Sequence, residues 1–151
     1  MILSMMNEEK LQDHSYRKAV LAYVKKKYHT KEDYPFKRDE VSAVLRHEDN
    51  KKWYGLLMDV EGAKLGLPME GSVSMINVKI SDQMFHDILV QQEGYFPAYH
   101  MNKRAWITIL LDGTVPFEEI CNMIDASYEA TVSPKKKRKS NSPANLHIPR
   151  T

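Results

Sequence analysis

The sequence predicts an α+β domain of two layers, a mainly antiparallel sheet with helices packed on one face, in the order α-β-β-β-α-β-α. Three observations lead there. Apolar residues recur at the helical period near both ends of the chain and once in the middle. Between those segments β-branched and aromatic residues alternate, as they do in strands. Short turn-forming runs, not long crossovers, join most of the alternating segments, and a hairpin-built sheet leaves one face for the helices to cover.

The elements follow in order. From Asn7 to about Tyr28, the residues Tyr16, Val20, Tyr23, Val24 and the stem of Lys27 fall at i, i+4, i+7, i+8 and i+11, an amphipathic helix. Lys25, Lys26 and Lys27 crowd its last turn, where each cation complements the helix dipole by roughly 0.3–1 kcal/mol, and they read as a solvated helix end. "TKEDYPFKRDE" is a polar connector around Pro35. "VSAVLRH" and "KKWYGLLMDV" read as two strands of a hairpin turned by "HEDNKK". "VEGAKLGLPMEGS", rich in Gly and Pro, is a loop or a ragged strand pair. "SVSMINVKI" then alternates, with Ser74, Ile76, Val78 and Ile80 on one face and Val73, Met75, Asn77 and Lys79 on the other.

Ser81 and Asp82 start a short helix through "DQMFHDILVQQ" that closes at Gly94 and turns Phe85, Ile88 and Leu89 toward the sheet. One or two strands follow, of which "RAWITILL" is the strongest in the chain. After the turn "DGT", Pro116, Glu118 and Glu119 open a last helix carrying Phe117, Ile120, Cys121, Ile124 and Tyr128 on its apolar stripe.

The 151 residues match one domain, with 42% hydrophobic and 28% charged side chains and no repeat of 20 to 50 residues. No apolar run reaches the roughly 20 residues of a membrane span, and "MILSMMNEEK" lacks the basic start and apolar core of a signal peptide, so a cytoplasmic protein without membrane contact is expected. One cysteine excludes an internal disulfide and fits a reducing compartment. Charge is uneven. Residues 134–151 carry Lys135, Lys136, Lys137, Arg138, Lys139 and Arg150 with no acid, whereas residues 1–133 hold 16 basic and 20 acidic side chains, net −4. The expected organisation is thus a folded unit over residues 1–133 and a disordered basic tail over 134–151. "PKKKRK" within that tail is both a nuclear-import string and a solvated charge run with nonspecific affinity for nucleic acid.

No catalytic residue, metal site or cofactor is nominated. Cys121 sits on an apolar stripe with no His or Asn at a readable spacing, and reads as a buried, inert thiol. His14, His29, His47, His86, His100 and His147 show no HxH or HExxH pattern, and there is no GxGxxG, GxxxxGKS/T or GxSxG. What remains is two polar tips. Arg46, His47, Lys51 and Lys52 flank the first hairpin and run into Trp53; His100, Lys103 and Arg104 stand before the last strand and run into Trp106. Cations beside an aromatic plane suit a phosphate backbone or an exposed base. The same cations also guard strand ends against aggregation.

The stretches "SAVLRHEDNKKWYGLLMDV", "KLGL", "VSMINVKI" and "GYFPAYHMNKRAWITILLDGTVPFEEICNMIDASYEAT" resemble the MmcQ/YjbR family of small bacterial proteins over roughly Tyr34 to Thr131. The resemblance implies a compact α+β domain and a DNA-binding role in which two β-hairpin wings grip the duplex. Carried onto this chain, one wing holds Arg46, His47, Lys51, Lys52 and Trp53, and the other Lys79, His100, Asn102, Lys103 and Arg104. It supplies no catalytic residue, metal or cofactor. The expected function is low-specificity DNA binding through the two tips, assisted by the tail. The alternative is a protein-interaction or chaperone-like domain whose sheet face or first helix docks a partner. A third reading, a small-molecule enzyme, requires a pocket converging on Tyr99, His100 and Asn102.

Overall fold

The computed structural model describes residues 15–134. The first predicted helix is seen as α1, Arg17–Tyr28; its predicted start at Asn7 and the basic run from Lys135 lie outside the described residues. Next come β1 (Ala43–Arg46), β2 (Trp53–Glu61), a single 3-10 turn at Gly62–Leu65, and β3 (Ser72–Lys79). The chain continues through α2 (Gln83–Leu89), β4 (Tyr95–Pro97), β5 (Trp106–Leu110) and α3 (Phe117–Thr131). The sheet has the order β1-β2-β3-β5-β4 with every neighbour antiparallel. This is the α+β layout expected from the pattern, with β4 as the extra strand before "RAWITILL".

α1 and α3 lie side by side and point the same way, since Tyr16 meets Phe117 at 5.3 Å and Tyr28 stacks on Tyr128 at 3.7 Å. Between them the Asp125 carboxylate accepts hydrogen bonds from Tyr23 at 2.8 Å and Tyr28 at 2.6 Å, and from Lys27 Nζ at 3.0 Å. Burial pushes both phenols above their usual range, and the adjoining carboxylate pushes the same way. One apolar cluster fills the space beneath, from Val20 and Val24 of α1 through Leu45, Leu57, Ile76 and Ile109 to Ile120 and Ile124 of α3.

α2 departs from its prediction. Leu89 is buried, but Phe85 and Ile88 are 39% and 53% exposed and Met84 is 74% exposed. The helix is only seven residues long and its rotation is fixed from two sides. Asp82 Oδ1 accepts the Phe85 N–H at 3.1 Å, and His86 Nε2 bonds the Trp106 carbonyl at 3.0 Å. The inward positions are therefore His86 and Leu89, one turn apart, leaving Phe85 and Ile88 to point outward. Gly94 does not end this helix; at φ 89° it turns the chain into β4, and a Cβ there would meet Val115 Cγ2 at 2.5 Å.

β2 carries an irregularity. Leu45 opposes Gly55 but Arg46 opposes Trp53, so Tyr54 is an extra residue, a bulge. Tyr54 turns into the core, and Trp53 is left on the face away from the helices. Just past this point the paired register of β2 and β3 stops at Leu56 and Asn77. The gap is spanned by Ser127 of α3, whose hydroxyl donates to the Tyr54 carbonyl at 2.6 Å and accepts from the Lys79 N–H at 2.8 Å. Ser127 is fully buried. Ser127→Ala leaves a buried carbonyl and a buried N–H without partners, so it is expected to lower stability by about 2–4 kcal/mol, read as a lower urea midpoint at unchanged slope.

Candidate nucleic-acid interface

Both polar tips rise from the same end of the sheet. β1 finishes at Arg46 where β2 begins with Trp53, and β3 finishes at Lys79 opposite the first residue of β5, Trp106. β4 finishes there too, with Pro97 opposite Ile107. Antiparallel alternation forces this, because every second strand end must share an edge.

The first tip is a tight turn. His47 N donates to the Lys52 carbonyl at 2.9 Å, and Lys51 N donates to the His47 carbonyl at 3.1 Å. Asn50 Oδ1 accepts the Lys52 N–H at 2.8 Å. Lys51 closes the turn in left-handed backbone at φ 62°, a conformation a non-glycine residue adopts at a cost of roughly 1 kcal/mol or more. Lys51 and Lys52 are exposed. Arg46 pairs with Asp33 at 2.8 Å while its guanidinium sits 5.6 Å from the Trp53 ring. His47 is placed differently: at 1% exposure it lies among Tyr54 and Tyr128, with Nε2 2.7 Å from Thr131 Oγ1. Its role is to tie the tip to α3. The same connection recurs outside the ring, since Asn50 Nδ2 donates to the Thr131 carbonyl at 3.0 Å and Ser133 Oγ donates to Asp49 at 3.0 Å.

The second tip is a loop, 98–105, laid over the sheet face that the helices leave open. A buried polar pair docks it. Thr108 Oγ1 donates to Asn77 Oδ1 at 2.5 Å and accepts the Tyr99 N–H at 2.9 Å, while Asn77 Nδ2 donates to the Tyr99 carbonyl at 2.9 Å. Both backbone groups of Tyr99 are thereby satisfied, and Asn77 and Thr108 reach zero exposure on a face that alternation alone does not mark as buried. Asn102 Oδ1 is occupied within the loop by the Arg104 N–H at 2.8 Å, and Lys103 Nζ donates to the Ala98 carbonyl at 2.9 Å. His100 is exposed, stands in left-handed backbone at φ 59°, and packs its ring 4.0 Å from that of Tyr99. Arg104 is exposed, and Lys79 is half-buried beside Trp106.

The geometry thus gathers Lys51, Lys52, Arg46, Trp53, Lys79, His100, Lys103 and Arg104 along one sheet end, and turns His47 and Asn102 to structural bonds. Sequence reasoning passed over Asn77, Thr108 and Ser127, which hold the tips in place; the uninterrupted polar positions inside otherwise apolar strands and stripes were the available signal. Acids share this end, with Glu48 and Asp49 in the first turn and Asp82 after β3.

Two clefts open on the described surface. The larger, about 720 Å3, lies behind the first tip among Tyr28, His29, Lys31, His47 and Tyr128. The other, about 540 Å3, lies at the far end among Leu67, Met69 and Tyr95. Neither includes His100 or Asn102, so the convergence an enzyme reading requires is not formed by them. Among the described residues no group of three or more His, Cys, Asp or Glu side chains is placed to hold a metal ion, and no helix is long and apolar enough to cross a membrane.

The YjbR family model matches residues 25–130, from the end of α1 to the last turn of α3. The chain belongs to the YjbR family. It is 43% identical over 115 residues to YyaQ of Bacillus subtilis, covering 76% of this chain and 97% of that protein. It is 35% identical over 66 residues to YjbR of Escherichia coli, 42% of this chain and 56% of that one. A crystal structure of a Pseudomonas syringae protein superposes with a TM-score of 0.74 at 40% identity, over 77% of this chain and 98% of that one. A Deinococcus radiodurans protein at 23% identity shares the fold, with a TM-score of 0.54 over 82% of this chain. The family match takes in both tips, the bulge and Ser127.

Two outcomes check the site's construction. Thr108→Val removes the acceptor of the Tyr99 N–H without changing side-chain shape, so hydrogen exchange at Tyr99 is expected to quicken by about tenfold or more, with β3–β5 ladder amides unaffected. Cys121 is buried, which together with Asp125 pushes its thiol up to about 11. The thiolate is then only about a thousandth of the thiol at pH 8, and Ellman's reagent is expected to label Cys121 in urea but not in the native protein.

Proposed function

We propose that this YjbR-family protein is a non-enzymatic module that binds DNA through the phosphate backbone along the end of its sheet, with little sequence specificity. The observation that carries the reading is the shared edge: antiparallel pairing sets both cationic tips along one end of the same five-stranded sheet. Each tip, moreover, holds an exposed basic side chain in left-handed backbone, Lys51 and His100. Such backbone collects at ligand clamps as well as at helix ends, where the third such residue, His29, caps α1.

The end of α3 adds to this. Thr131 and Ser133 are bonded to the first tip, so the last described residues lie at this edge, and the basic run begins two positions further along the sequence at Lys135. A net −4 body then presents cation locally where phosphate would lie, and the neighbouring Glu48, Asp49 and Asp82 keep the affinity modest and salt-sensitive. Among the described residues the exposed cations of this edge, Lys51, Lys52, Lys103 and Arg104, stand on turns and loops and not along a helix face that could enter a groove, which favours backbone contact.

A second reading has its own observation. Met84, Phe85 and Ile88 form an exposed apolar stripe on α2, the kind of surface that marks a protein interface.

The salt dependence of DNA binding separates the contributions. For the full chain, Lys52→Ala with Arg104→Ala is expected to flatten the log–log slope by about 1.8 units, roughly 0.9 per phosphate released. A chain ending at Ser133 is expected to keep measurable binding. If that shortened chain shows none and the double substitution changes nothing in the full one, the tail alone binds DNA, and the α2 stripe becomes the better guide to function.

A further inference from the structure

We propose that the same sheet end prefers unpaired nucleic acid, a single strand whose bases stack on protein aromatics, over the duplex; this rests on the backbone-binding reading above. The reason is a row of four side chains on the face opposite the helices. Strand alternation and the bulge put Arg46 of β1, Trp53 of β2, Lys79 of β3 and Trp106 of β5 on that face, at the outer end of four consecutive strands. All four are half-buried, so each retains an open side. The row reads cation, aromatic, cation, aromatic.

Lys79 pairs directly with Trp106, one strand spacing of about 4.8 Å away, while β2 has parted from β3 by Trp53 with the Ser127 hydroxyl between them, so Lys79 lies between two indoles set somewhat more than two spacings, about 10 Å, apart. A single strand offers the complementary order, base, phosphate, base, and base stacking on aromatic side chains is tolerant of sequence. A duplex keeps its bases stacked on each other and presents only phosphates, so the two indoles would contribute nothing to it. The platform widens at both sides. Phe36, 38% exposed, meets Trp53 edge-on at 6.2 Å, and Arg46 lies 5.6 Å from the same indole. On the other side the docked loop presents the paired rings of Tyr99 and His100. The bulge is what makes the arrangement available, because without the extra residue Trp53 would fall on the helix face and Tyr54 on the open one.

The test compares oligothymidylate, oligouridylate and a mixed-sequence duplex, each about 12 units long, against the full chain in one buffer, by fluorescence anisotropy and by tryptophan emission. Trp53 and Trp106 are the two tryptophans of the whole sequence, so emission reports this face and not the basic tail. At least one single strand is expected to bind about tenfold tighter than the duplex and to quench tryptophan emission. Phe36→Ala is expected to weaken single-strand binding about five- to tenfold while leaving duplex binding within about twofold, and Trp53→Leu to weaken single-strand binding at least as much. Should Trp53→Leu fail to fold, as judged by circular dichroism, Phe36→Ala at its exposed position carries the comparison. Duplex binding as tight as single-strand binding, or single-strand binding with unchanged emission, overturns the preference and leaves the backbone reading standing. Absence of binding to all three overturns both.

Discussion

One extra residue in β2 governs most of what is particular to this protein. The bulge at Tyr54 breaks the register between β1 and β2, and in doing so sends Tyr54 into the core and Trp53 to the open face. It also ends regular pairing with β3, which would strand a carbonyl and an N–H in a dry interior at about 1–3 kcal/mol each. Ser127 resolves that cost by placing one hydroxyl between them. An apolar residue at that point of α3 could not, and the bonded seat that Ser127 gives α3 on the sheet would be lost. From this seat follow the Tyr28–Tyr128 stack, the shared Asp125 carboxylate and the bond from His47 to Thr131, all of which depend on where α3 lies along its axis.

The open face shows the same logic on a smaller scale. A two-layer fold leaves one side of its sheet without helices, and here a loop covers it. Asn77 and Thr108 form a buried pair whose further bonds go to the backbone of Tyr99. Those bonds are directional, so they fix the loop's position as apolar packing alone would not. His100, Lys103 and Arg104 thereby stand beside Lys79 and Trp106 instead of sweeping through solvent. Each tip is thus an irregular segment pinned by buried polar atoms of regular elements, and the rigid part supports the exposed part.

Much of this fold is legible in the sequence. Periodicity in "SVSMINVKI" and "RAWITILL" marks β3 and β5, Pro116 with Glu118 and Glu119 marks the start of α3, and "HEDNKK" marks the first tip. α2 is the instructive failure. Its apolar residues outnumber the inward positions of a seven-residue helix, and composition cannot say which of Phe85, His86, Ile88 and Leu89 turn inward. The Asp82 cap is local and legible in the sequence; the reach of His86 to the Trp106 carbonyl, 20 residues on, decides it, and that bond is tertiary. His47 makes the same point within the site, since a histidine in a polar turn reads as exposed until α3 is laid against it.

Sequence alone determined the elements, their order, the acidic balance of the body against the basic run after it, and the two clusters of cations next to tryptophan. These are local properties, carried by residues within a few positions of one another. Tertiary structure decided that the two clusters share one end of the sheet, that Trp53 and Trp106 lie on one face, and that His47 and Asn102 serve the framework. Those outcomes turn on register, and register is fixed by a bulge, a buried hydroxyl and a buried amide whose partners are 22 to 73 residues away. A period of two along a strand cannot encode where that period is broken.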